Sequence, residues 1–380
     1  MEAKYSLLLA LVRNQITGTP VQIPTDADLE GLFDAARRHK LGTFVCAALE
    51  GTPYEMQALQ AIGATYHGAV FIDVQADHIR SDLTRVLGEA GIDHVYQRGI
   101  CLKHDYPVPA MRTMSDMDVL VRSRDLHKLP KVMEQLPCKQ KPGDGNHRIF
   151  VVEPGMTVEF HPELIHCSST VGTGINPGWQ YVPEGQEQAE KQMTEEGFYL
   201  NILCHLANHF AAGGVGVRFV LDVWVCNHLR KTKPDRAFVE QELERIGLLK
   251  FGLQVEQLAE VWFSGAESNE ILDELGEYIL TSSSHGDSRR AMLNAVCLSG
   301  SGFSALWRKV FYPRQDLYNR FDWVRGRAWL LPAAWLVRVF QAVTRRSGLI
   351  LRWSKGAMNF SDEQIAQQRE KLMRFGIREA

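Results

Sequence analysis

From residue 1 to about 90 the apolar positions recur with helical spacing. In "DADLEGLFDAARRHKLGTFVCAAL", Leu29, Leu32, Phe33 and Ala36 fall on one helical face. Between residues 63 and 90 the pattern continues through Val70, Val74, Ile79, Leu83 and Val86, until Gly88 and Gly91 interrupt it. The period then changes. "IDHVYQRG" (92–99) reads as a strand ending in a glycine turn, and "ICLKHDY" as a short helix stopped near Pro107 and Pro109. "DMDVLV" (116–121) reads as a strand. "SRDLHKLPKVMEQL" reads as a helix capped by Ser123, with Pro130 an irregularity inside it. "HRIFVVE" and "MTVEFH" read as the two strands of a hairpin turning at Pro154-Gly155. Residues 166–190, rich in Gly, Ser, Thr, Pro and Gln, read as a linker.

The helical period returns after Thr194, a plausible cap for "EEGFYLNILCHLANHFAAGG", where Leu203, Leu206 and Phe210 share a side. "VRFVLDVWVCNHL" predicts a second helix, and further helices run to about residue 300. No repeat or low-complexity tract is visible. The expected class is α+β: a small mixed-sheet core at 91–190, flanked by helical regions at 1–90 and 191–300 and a C-terminal helical segment at 301–380.

Composition adds limits. A chain of 380 residues, 45% apolar and 23% charged, is long enough for two or three domains and an ordinary core. The net charge of −3 points to no nucleic-acid or membrane partner by itself. The seven cysteines are odd in number, scattered and without a C-x-x-C pair. They argue against a disulfide framework or zinc ribbon and fit a reducing cytoplasm. The apolar run in "MEAKYSLLLALV" lacks an obvious small-residue cleavage site after it, so a signal peptide is not expected. The longest unbroken apolar run, "AWLLPAAWLV" (328–337), is ten residues long. A bilayer crossing needs about 20.

The chemistry concentrates in "MRTMSDMDVLV". On a strand, Asp116 and Asp118 point to the same face with Cα atoms about 7 Å apart. Two such carboxylates repel, and a divalent cation turns that repulsion into binding. Magnesium suits carboxylates combined with phosphate oxygens. On "MTVEFH", Thr157, Glu159 and His161 share one face, and Glu159 beside the aspartates would complete a three-carboxylate site for phosphate chemistry. A solvated strand end that happens to carry Asp-x-Asp is the alternative. Arg112, four residues before Asp116, is placed to clamp a phosphate or to pair with an aspartate.

The run "QRGICLKHDYPVPAMRTMSDMDVLV" resembles the uncharacterised nucleotidyltransferase family of the polymerase-β-like superfamily, at Gly99, Tyr106, Arg112, Asp116, Asp118, Leu120 and Val121. "VEFHPEL" is similar to the family's acidic-hydrophobic-histidine segment, "HLANHFAAGGVGVRFVLDV" to its helical-domain signature, and "RAWLLPAAWLVRVF" to its C-terminal segment. The resemblance runs from about residue 30 to 350. It implies transfer of a nucleoside monophosphate from an NTP to an acceptor, with Mg²⁺ and release of pyrophosphate. Asp116 and Asp118 would hold the metals. Glu159 would help hold the second one or activate the acceptor. Arg98, Gly99, Arg112 and Arg218 would contact the nucleotide. The acceptor is left open among a small molecule, a sugar, a peptide and an RNA end. Two positions depart from the pattern: Ile100 follows Gly99 where the superfamily has serine or glycine, and Arg98 stands where the family has lysine.

A catalytically inactive nucleotide- or protein-binding module of the same fold is the second expectation, motivated by the missing serine. Arg218 and Asp222, four apart on a helix, also suit an ordinary ion pair. His205 and His209 have zinc-ligand spacing without the accompanying glutamate, and packing near the cleft is the simpler reading. Residues 308–355 carry eleven Lys or Arg against two Asp, and five of the eight tryptophans lie between Trp307 and Trp353. A helix from Pro332 would place Trp335, Leu336, Val339, Phe340 and Val343 on one side, with Arg338, Gln341 and Arg345 on another. Docking on the protein's own body is the favoured reading of that helix. The others are a membrane-surface adaptor and a nucleic-acid or phosphorylated acceptor site.

Overall fold

Apolar helical spacing at the start of the chain produces four helices: α1 (Ala3–Thr17), α2 (Leu29–Arg38), α3 (Gly42–Leu49) and α4 (Glu55–Glu89). The structure, a computed structural model, describes residues 1–141, 147–166, 169, 171–282, 288–299, 314–324, 327–340 and 360–377. Helix α4 is 35 residues long and serves two cores. Its first half places Ala58 and Ile62 among α1–α3. Its second half lays Ala76, Ile79, Leu83 and Val86 on a sheet.

That sheet has five strands: β1 (His94–Tyr96), β2 (Asp116–Val121), β3 (Cys138–Lys141), β4 (Arg148–Val152) and β5 (Met156–His161). Their order is β1-β2-β5-β4-β3, with β2 and β5 parallel and every other pair antiparallel. The fold is therefore α+β with a mixed sheet, as the pattern predicts. Side chains alternate across the sheet. Met117, Val119, Val121, Val158 and Phe160 face the α4 core, while Asp116, Asp118, Leu120, Thr157, Glu159 and His161 share the opposite face. The β4–β5 hairpin turns at Pro154-Gly155 as expected.

The opposite face is covered by α7 (Glu195–Ala211) and α8 (Val217–His228), followed by α9 (Arg236–Arg245), α10 (Leu249–Ala259), α11 (Glu270–Leu280) and α12 (Ser288–Ser299). Between α5 (Gly99–Leu102) and α7 lies one more short helix, α6 (Leu129–Met133). Thr194 caps α7, accepting from the Gly197 N–H. A single hydrophobic cluster joins α1–α3 to α7–α11 and reaches Leu372 and Phe375 near the C-terminal end of the chain.

Three local expectations change. Ser123 does not cap a helix. It begins the 3₁₀ turn Ser123–Asp125, and α6 starts with Pro130 in its first turn, because proline lacks the N–H that a helix interior needs. Strand β3, "CKQK", escapes the pattern because it is a short, exposed, lysine-bearing edge, which needs no apolar alternation. In the helical stretch 331–340, Leu331 and Ala334 turn inward against Leu317 and Val324, and Arg338 is buried. Leu336 and Phe340 are 72% and 69% exposed and Arg338 only 5%, whereas Trp335 packs against that cluster, so the expected apolar side is split. Gln341, Val343 and Arg345 lie outside the described residues.

His39, at the end of α2, is fully buried and joins three elements. The Val217 N–H donates to its Nδ1 (3.4 Å), so its Nε2 carries the proton and donates to the Leu280 carbonyl (3.2 Å). Burial, above all, lowers its pKa from 6.5 to about 4. A histidine held neutral in the folded state stabilises fully above its unfolded pKa, and that stability is lost as pH falls from 6.5 through 4. The shift corresponds to about 3 kcal/mol. Urea melts should show this acid limb, and His39→Gln, whose amide donates and accepts without titrating, should flatten it.

Candidate functional site

The parallel register of β2 and β5 builds the site. It sets Asp118 directly beside Glu159 and Asp116 beside Thr157, with His161 two positions beyond Glu159 on the same face. The Asp118, Glu159 and His161 ligand atoms all lie within 4.8 Å of one another. His161 Nε2 is 2.9 Å from Asp118 Oδ1 and 3.5 Å from Glu159 Oε2. His147 stacks on His161, ring centroids 5.3 Å apart, and its Nε2 is 3.9 Å from Glu159. Asp116 stands at the exposed end of β2, near the Ser115 hydroxyl (3.4 Å), outside this tight cluster.

Arg98 closes the other side of Asp118. Its Nη2 lies 2.6 Å and its Nε 3.2 Å from Asp118 Oδ2. Its Nη1 donates to His205 Nδ1 on α7 (2.9 Å). This reach follows from an unusual backbone, φ +49° at Arg98, which turns the chain sharply from β1 into α5. Gly99 follows. A Cβ there would meet Met114 Sδ at 2.9 Å, so glycine lets the β2 lead-in pack close. A cleft of about 50 Å³ between the sheet and α7–α8 is lined by Arg98, Gly99, Asp116, Asp118, His205 and Arg218, with Arg112 at its wall. All the sequence-predicted residues except Glu159 thus line one cleft, and Glu159 is Asp118's neighbour on the next strand.

Arg112 pairs with an aspartate, and the partner is Asp222. Nε and Nη2 donate to its two oxygens at 2.6 and 2.8 Å, and the Tyr106 hydroxyl adds a third bond at 2.5 Å. Tyr106, Arg112 and Asp222 are all buried. Asp222 is thereby taken, and the expected Arg218–Asp222 pair does not form. Arg218 instead donates to the Thr113 carbonyl at 3.0 Å. Burial, and then the neighbouring Arg112, lower its pKa to about 10, which leaves it charged at neutral pH.

The carboxylates differ in their electrostatics. Burial pushes the Asp118 carboxyl up, but Arg98 and His161 together outweigh it and hold Asp118 well below the usual range. Burial, reinforced by Asp118 and Asp116, raises Glu159 against the opposing pull of His161. These are repelling negative charges gathered on one face, the setting a divalent cation stabilises. His205 is kept neutral by burial and by Arg98 and His209. It serves in packing and hydrogen bonding near the cleft.

The family described as uncharacterised nucleotidyltransferase matches residues 25–264. The chain belongs to that family. No curated protein and no solved structure matches it. The nucleotidyltransferase match covers every site residue from Arg98 to Asp222 and ends short of the basic C-terminal segment. Among the described residues, no helix is long and apolar enough to cross a membrane. The strand pattern put His161 on the Glu159 face without giving it a role. The same period-two alternation, carried one step further along β5, marks it as part of the carboxylate cluster. The Arg98–His205 contact has no signal in the sequence, because it joins residues 107 positions apart.

Proposed function

We propose that this family member moves a nucleoside monophosphate from an NTP to an acceptor, releasing pyrophosphate, with Mg²⁺ held by Asp116, Asp118 and Glu159. The observation that carries the reading is the pairing of Asp118 with Glu159 on adjacent strands, with Arg218 lining the same cleft as Asp118. Among the described residues, Arg98 and Arg112 each pair with a carboxylate, whereas Arg218 bonds only a carbonyl. Arg218 is therefore the cation left to hold a phosphate. Gly99 lines the cleft and would meet the triphosphate through its backbone, its missing side chain leaving room for Met114. Arg98 sits where it can pass from Asp118 to a phosphate oxygen. Arg112 acts through its bond to Asp222, which holds α8 and hence Arg218 over the aspartates.

The donor set fits a divalent cation: two carboxylates and an imidazole converge within reach of one ion, and Asp116 adjoins them on the same strand face. Such an ion, when bound, neutralises phosphate charge and orients the phosphate. Glu159, its carboxyl raised by burial and the neighbouring aspartates, would help hold the second ion or take the acceptor's proton. The cytoplasmic setting belongs to the same proposal; Cys46, Cys101, Cys138, Cys204, Cys226 and Cys297 are free thiols.

The test is incubation with α-labelled NTPs in cell extract and identification of the labelled product. Transfer that requires a divalent cation supports the proposal. A second reading, a binding module without turnover, is favoured by Ile100 in place of the phosphate-binding serine and by the occupation of both Asp118 oxygens by Arg98 and His161. Calorimetric binding of Mg²⁺-NTP with no transfer to any acceptor would select it.

A further inference from the structure

We propose that Asp118, Glu159 and His161 form a mixed nitrogen–oxygen cation site that prefers a first-row transition dication, of the Mn²⁺ to Co²⁺ kind, over Mg²⁺. It rests on the nucleotidyltransferase reading for its position beside the triphosphate. The Mg²⁺ that accompanies the nucleotide rests on the Asp116–Asp118 edge, and Asp118 and Glu159 are shared between the two ions.

These three residues are the only metal-competent group of their kind among the described residues. Asp116, the obvious partner of Asp118 in the sequence, is outside it. His161 Nε2 lies between the two carboxylates, 2.9 Å from one and 3.5 Å from the other. An ion drawn to both carboxylates therefore meets an imidazole nitrogen. Strand register enforces this, since Glu159 is opposite Asp118 and His161 follows it at the same face two residues on.

Magnesium is a hard ion that favours oxygen ligands and keeps several waters. Imidazole instead favours first-row transition ions, whose affinity for a given site of this type rises from Mn²⁺ to Co²⁺. His147 stacks on the His161 ring, centroids 5.3 Å apart, and so restricts its rotation. Without an ion, His161 Nε2–H bonds Asp118 Oδ1 and Arg98 bonds Oδ2. Cation entry requires the neutral imidazole tautomer with its proton on Nδ1, and it displaces the Arg98 guanidinium, which keeps His205 as a partner.

Titration calorimetry of the full chain with Mg²⁺, Mn²⁺ and Co²⁺ separately, without nucleotide, tests this. The expected order of affinity is Co²⁺ above Mn²⁺ above Mg²⁺. His161→Ala should weaken Co²⁺ about tenfold or more while moving Mg²⁺ little. Arg98→Gln should strengthen all three ions by removing the competing cation. Pulsed electron paramagnetic resonance of Mn²⁺ bound to the wild-type chain needs no variant to fold. It should show coupling to a ¹⁴N nucleus, and His161→Gln should remove that coupling. Equal affinity for Mg²⁺ and Co²⁺, or bound Mn²⁺ without nitrogen coupling, would overturn the inference. If that happens while labelled NTP is still transferred, only this inference falls. If the metal order and nitrogen coupling hold without transfer, the site stands and the catalytic reading falls.

Discussion

Replacing Asp116 and Asp118 together with asparagine is expected to abolish cation-dependent pyrophosphate release. The two side chains share one face of β2, and Asp118 is the most deeply engaged carboxylate of the site, bound by Arg98 and His161. Removing both negative charges removes the attraction for a divalent cation. Cation stabilisation of phosphoryl chemistry amounts to several kcal/mol, and about 4 kcal/mol is roughly a thousandfold in rate. The loss should therefore be on the order of a thousandfold or more, read by a coupled pyrophosphate assay. Asparagine keeps the shape but leaves the Arg98 guanidinium without its counter-charge, so thermal melts must accompany the assay. Asp116→Asn alone preserves the Arg98–Asp118 pair and should melt like wild type while losing activity. A double variant that turns over at the wild-type rate would end the catalytic reading.

The second large effect is structural. Asp222→Ala should cost about 3–5 kcal/mol of stability, the range for removing one partner of a buried ion pair. Asp222 accepts two bonds from Arg112 and one from Tyr106, and all three residues are buried, out of reach of water that could replace the lost partner. Arg112→Ala should fall in the same range. The combined variant Arg112→Met/Asp222→Leu should cost clearly less than the sum, because no charge is then left buried and unpaired. Chemical denaturation of the single and double variants measures this. Near-wild-type melts for Asp222→Ala would show that the pair does not clamp α8 to the β2 lead-in. Because Arg218 lies one turn before Asp222 on α8, the variant should also weaken Mg²⁺-NTP binding beyond what unfolding explains.

Elements with a strong local period were legible. The β2 alternation put Asp116 and Asp118 on one face, the turn residues Pro154-Gly155 set the β4–β5 hairpin, and Thr194 marked the start of α7. Elements without such a period were not. Strand β3 is a polar edge, and α6 is cut short by Pro130. The helical stretch 331–340 turns Leu331 and Ala334 inward because Leu317 and Val324 offer a surface there, which no local pattern announces.

The amino-acid sequence by itself determined the α+β class, the helix-strand-helix order, and the placing of Asp116, Asp118 and Glu159 on strand faces. Those features follow from periodicity and turn chemistry, which act between residues a few positions apart. Only the tertiary structure decided that β2 and β5 became parallel neighbours, and with that the meeting of Asp118, Glu159 and His161. It also decided that Arg112 pairs with Asp222, 110 residues away, and that Arg218 is left with a carbonyl. The physical reason is that a charge selects its partner by proximity after the chain has packed. Burial then makes an unpaired charge costly, so distant groups settle each other's roles.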